Sequence, residues 1–134
     1  MTKLSVIEGI GPAFEEKLNQ AGIKSVEHLL ETGAKKAARV ELAEKTDISE
    51  KLILRWINHA DLSRIKGVRG EYAELLEAAG VDTVPDLARR KPDNLYAKIV
   101  ETNEAKKLVR KLPTANQVAE WVEQAKALPR VIEY

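Results

Sequence analysis

The sequence predicts an all-α chain made of two tandem copies of one small unit, and three observations carry that expectation. Apolar residues recur at helical spacing between glycines and prolines throughout the 134 residues. The stretch Ile7–Ile23 returns as Ile65–Val81 at a constant offset of 58. A second block returns at an offset of 65, pairing Ser49 with Thr114, Ile53 with Val118, Trp56 with Trp121, Ile57 with Val122 and Ala60 with Ala125. Two offsets, each held over several matched residue types, describe a duplication with seven residues inserted in the second copy. The copies divide as residues 1–62 and 63–134, the second ending in a short extended tail. No linker rich in Gly, Pro or Ser separates them, so close packing is expected.

Within the first copy, Met1–Val6 is a lead-in and Gly9-Ile10-Gly11 a tight turn. Pro12 suits the first position of a helix, where its missing N–H is no loss, and Gly22 suits a left-handed stop after Ala21. Ser25 caps a short helix from Val26 to about Thr32. Lys36 to Lys45 forms another helix, with Ala38, Val40, Leu42 and Ala43 inward. Thr46-Asp47-Ile48-Ser49 is a second, glycine-free turn, and Ser49 caps a long helix through Ala60.

The second copy opens on the turn Gly67-Val68-Arg69-Gly70, runs a helix over Glu71–Ala79 and stops at Gly80. Thr83 is the expected cap of a short helix, with Asp86 facing its free amides. Pro92 reads as a break before a helix spanning roughly Asn94–Arg110. Thr114 and Gln117 have capping-box spacing at the head of the last helix, which Pro129 ends. Trp56 and Trp121, matched on apolar stripes, read as core anchors.

Composition limits the functions open to such a chain. Aromatics at 4% leave the core to aliphatic side chains, and 32% charged residues suit a soluble domain. No run of about 18 apolar residues is present, so no membrane partner is expected. The lead-in lacks the apolar core of a signal peptide, and a cytoplasmic protein is the default. Without cysteine there is neither a disulfide framework nor a thiolate metal site, and His28 and His59 have no companions at ligand spacing. Net charge is +1, with ten basic and ten acidic residues in 1–64 against twelve and eleven in 65–134. Any nucleic-acid contact must therefore come from local placement of amides and cations. No nucleophile elbow, phosphate loop or dinucleotide fingerprint appears, so neither an enzyme nor a cofactor is expected.

The order hydrophobic–x–Gly–hydrophobic–Gly–Pro, followed by Leu18 and the Ala21-Gly22-Ile23 stop, resembles the helix-hairpin-helix motif. With Lys24–Leu30 and the Ser49 helix, each repeat is similar to the five-helix, SAM-like domains of archaeal recombinase N-termini and the bacterial RNA polymerase alpha C-terminus. The tandem arrangement, through Leu128–Val131, also resembles an uncharacterised bacterial family of paired helix-hairpin-helix proteins, a domain of unknown function. The resemblance implies sequence-independent contact with a DNA backbone. Gly9, Ile10 and Gly11 would form one phosphate cradle, with Lys66, Gly67, Val68, Arg69 and Gly70 the other. Glu8, Glu15 and Glu16 crowd the first turn and Glu71 the second, which opposes a phosphate there. Purely structural turns, phosphate-binding turns and turns that dock a protein or small anion all remain open, so the partner is nucleic acid or a protein.

Three basic clusters complete the reading: Lys35-Lys36 with Arg39, Arg89-Arg90-Lys91, and Lys106-Lys107 with Arg110-Lys111. The last is expected as one stripe on a helix, and a solvated face is the simpler account of it. Glu15-Glu16 and Glu71-Glu74 read as solvated surface carboxylates.

Overall fold

A computed structural model describes the whole chain, Met1–Tyr134, as helices joined by turns, with no strand. A single 3-10 turn at Leu4–Val6 precedes α1 (Pro12–Gln20), α2 (Val26–Thr32), α3 (Lys36–Thr46) and α4 (Glu50–Leu62). Then come α5 (Gly70–Ala78), α6 (Val84–Ala88), α7 (Pro92–Lys106) and α8 (Ala115–Ala127). No helix is long and apolar enough to cross a membrane.

The chain forms two compact units. One comprises Met1–Asp61 together with Val131–Tyr134, the other Leu62–Arg130. The tail thus belongs to the first unit, whereas its place in the sequence assigned it to the second. Ile132 is 2% exposed within the first unit's core. The Glu133 N–H donates to the Ala34 carbonyl at 2.7 Å, and the Tyr134 hydroxyl lies 3.2 Å from Asn58 Oδ1.

In the first unit Leu4, Leu18, Leu29, Ile53, Trp56 and Ile57 are fully buried. Helix α1 ends as its glycine requires. Gly22 has φ +89°, its N–H bonds the Asn19 carbonyl at 2.9 Å, and the Ile23 N–H reaches back to Leu18 at 2.9 Å. Ser25 Oγ accepts from the His28 N–H at 3.0 Å, and Ser49 Oγ from Leu52 at 3.2 Å. Asp47 adopts the left-handed conformation, φ +56°, that a short polar side chain tolerates. Helix α3 departs from the expected pattern: Ala38, Val40 and Ala43 are only half-buried, while Arg39, Leu42 and Thr46 turn inward.

The second unit repeats these devices on its own residues. Gly80 has φ +96°, with Val81 N–H to Leu76 at 2.9 Å and Gly80 N–H to Glu77 at 3.0 Å. Helix α8 packs on α6 and α7, and α7 on α5. Thr114 and Gln117 complete the capping box in both directions. Thr83 is extended at the head of α6 but its side chain makes no cap bond; Asp86 accepts from the Asp82 N–H at 3.2 Å instead. Pro92 opens α7 as its first residue. That helix stops at Lys106 because Lys107 turns left-handed, φ +50°.

Lys107 stands at an offset of 60 from Asp47, and Thr114 at 65 from Ser49. The seven extra residues therefore split, two before Lys107 and five in the segment between α7 and α8. Asn103 pins that longer segment, accepting from the Val109 N–H at 2.9 Å and donating to its carbonyl at 3.1 Å.

Candidate nucleic-acid interface

Both glycine turns are built alike. The Ile10 N–H bonds the Ile7 carbonyl at 3.1 Å, and Val68 bonds Ile65 at 3.1 Å. Ile7, Ile10, Ile65 and Val68 bury their side chains and moor the turns, while Gly9, Gly11 and Gly67 stay exposed. Gly9 and Gly67 share φ +95°, a conformation that favours glycine.

A tryptophan lies beneath each turn. A Cβ on Gly9 would stand 3.3 Å from Trp56 Nε1, and one on Gly67 3.1 Å from Trp121 Nε1. An aromatic pair recurs as well, Phe14 with Trp56 at 5.0 Å between centroids and Tyr72 with Trp121 at 5.4 Å. Both tryptophans are anchors, 0% and 3% exposed. The Trp56 indole N–H is buried without an acceptor.

Past the turns, α1 and α5 start without side-chain caps. Gly11, φ −87°, and Arg69, φ −143°, occupy the capping positions in extended backbone. Arg69 thus fills the place of Gly11, and Gly70 that of Pro12. The second turn keeps the geometry of the first despite its different glycine spacing, because neither Gly11 nor its counterpart needs a positive φ. Open N–H groups result at Gly11, Ala13 and Phe14 in the first unit, and at Arg69, Gly70 and Glu71 in the second. Such groups, with the positive helix end, favour an anion.

Charge separates the two sites. Lys66 and Arg69 are exposed, and neither side-chain cation has a partner within the chain. The Lys66 backbone is held by Gln124, whose Oε1 accepts at 2.8 Å and whose Nε2 donates to the Lys66 carbonyl at 3.2 Å. Glu71 is exposed at the start of α5. The charged residues from Ile7 to Glu16, around the first turn, are all carboxylates: Glu8 and Glu15 half-buried, Glu16 exposed.

The basic clusters do not survive as drawn from the sequence. Arg39 is 3% exposed and bonds backbone carbonyls, so it leaves the cluster with Lys35 and Lys36. Arg90 donates to the Gly80 carbonyl at 2.6 Å and pairs with Asp86 at 3.4 Å. Lys106, Lys107, Arg110 and Lys111 are all exposed, but they straddle the end of α7 and so form no helical stripe. Sequence reasoning missed the buried role of Arg39; its one signal was its place three residues before Leu42, on the same side of α3.

A family model, Domain of unknown function (DUF4332), matches residues 8–128, and the chain belongs to that family. No curated protein and no solved structure gives a significant match.

Proposed function

We propose that the chain is a non-enzymatic module that contacts the phosphate backbone of nucleic acid, duplex DNA first, without reading base sequence. Each unit is read as a helix-hairpin-helix domain. The matching glycine turns, their tryptophan props and the helices that follow support that reading. The contact falls on Lys66–Gly70. One observation carries it: at that turn the open N–H groups of Arg69, Gly70 and Glu71 meet two cations, Lys66 and Arg69, that have no partner in the chain. Amides and cations together suit a phosphate oxygen, and Arg69 adds a bidentate fork. The Gly9–Gly11 turn has comparable amides but acidic neighbours, and serves as the weaker of the two.

The decisive experiment is fluorescence anisotropy on a labelled duplex at about 50 mM and about 200 mM salt, where phosphate contacts weaken steeply. Binding should fall across that range, and Arg69→Glu should weaken it by about tenfold, or about 1.4 kcal/mol. Lys107→Glu should weaken it less. Equal losses would move the contact to a diffuse basic face. No binding at micromolar protein would overturn the nucleic-acid reading. A second reading, a protein-interaction scaffold with purely structural hairpins, has its own support: the packing of Gly9 and Gly67 over tryptophans already accounts for those glycines.

A further inference from the structure

A pocket of ≈ 350 Å³ opens on the first unit where α3 and α4 begin, lined by Lys36, Arg39, Glu50, Lys51, Leu54 and Tyr134. Arg39 is its unusual member. It is 3% exposed and no carboxylate pairs with it. Its Nη1 donates to the Gly33 carbonyl at 2.8 Å and the Ala34 carbonyl at 3.0 Å, and its Nη2 to the Glu133 carbonyl at 2.8 Å. A guanidinium has five N–H donors and keeps its proton in proteins. Two donors, Nε–H and the second proton of Nη2, therefore have no acceptor within the chain.

A buried cation lacking a counter-charge is costly, and an anion entering beside it gains accordingly. Two further features favour the same sign of ligand. Lys36 and Lys51 are exposed at the pocket. Helix α3 starts at Lys36 with no side-chain cap, presenting its positive end. Glu50 is the one acidic side chain in the lining. Leu54 and the Tyr134 ring, whose centroid is 5.9 Å from the Arg39 guanidinium carbon, supply an apolar wall.

We propose that this pocket binds a small organic anion, with a phosphate or carboxylate head on Arg39, Lys36 and Lys51 and a flat apolar body against Leu54 and Tyr134. The site is separate from the Lys66–Gly70 turn and stands whether or not that turn binds nucleic acid.

The test is a titration of the full chain followed by ¹H–¹⁵N NMR, using phenyl phosphate, benzoate and uncharged benzyl alcohol. At least one of the two anions should shift the Arg39 Nε–H resonance and the Lys36 and Lys51 amides, saturating at about millimolar concentration or below. The tighter anion identifies the preferred head group. Lys36→Gln/Lys51→Gln should weaken the binding by about tenfold. Arg69→Glu should leave it unchanged, which separates this site from the turn. The exposed lysines are the positions to vary, since Arg39 also holds the backbone together. Absence of saturable shifts with both anions overturns the site. So do equal shifts with benzyl alcohol, or unchanged affinity in the double lysine variant.

Discussion

At the scale of single residues, three glycines that look equivalent in the sequence have different duties. Gly9 and Gly67 carry φ +95° over a tryptophan, whereas Gly11 is extended and a Cβ there meets nothing within 4 Å. An alanine in the left-handed region costs about 1–2 kcal/mol before any movement of the indole. Gly9→Ala and Gly67→Ala should therefore each lower stability by at least about 1 kcal/mol in urea unfolding, while Gly11→Ala should cost less than either, through the poorer N-cap alone. Similar losses at all three positions would show that Gly11 has a constraint the backbone does not reveal. Arg39 makes the complementary point: a residue read as surface charge is a buried donor serving three carbonyls.

At the scale of elements, helix ends were readable where one side chain sufficed and misread where the solution was distributed. Ser25, Ser49 and the Thr114–Gln117 box act as their spacing requires. Thr83 does not: its side chain makes no cap bond, and Asp86 meets the backbone amide one residue earlier, at Asp82. The start of α2 carries a further tie to the lead-in. The Thr2 N–H donates to Glu27 Oε1 at 2.8 Å, and the Thr2 carbonyl accepts from Val26 at 2.9 Å. The backbone and side-chain hydrogen bonds from Thr2 hold the Glu27 pKa below its ordinary 4.5. A folded-state pKa lowered in this way contributes stability above pH 4.5 that is lost as pH falls through the lowered value. The stability difference between wild type and Glu27→Gln should thus be present at neutral pH and vanish in acid, as followed by urea unfolding across pH. A difference that persists at low pH would assign the effect to packing.

At the scale of the whole molecule, the tail is the clearest departure from a linear duplication. Val131–Tyr134 follows the second copy in sequence but completes the first unit, with Ile132 in its core. Ile132→Ala should cost about 2–5 kcal/mol, the usual loss for a buried isoleucine, and native-state hydrogen exchange should register it in α2 and α3. Retained protection there would mean that the tail covers the unit without supporting it.

The sequence by itself determined the all-α class, the duplication and most helix ends. These depend on local chemistry: a glycine stop, a serine cap and apolar periodicity act within a few residues. It also supplied both turns as candidates, since their glycines are visible as spacing. Tertiary structure decided what spacing does not encode. It placed Trp56 and Trp121, from far along the chain, beneath Gly9 and Gly67, the one glycine position that both turns keep. It dissolved the Lys106–Lys111 stripe by one left-handed residue, turned Arg39 inward and seated the tail in the first unit. The tail, the tryptophans under the turns and the Arg39–Glu133 bond depend on contacts between residues distant in sequence. The end of α7 is set instead by local bonds, Lys107 to Asn103 and Asn103 to Val109, that its composition does not announce.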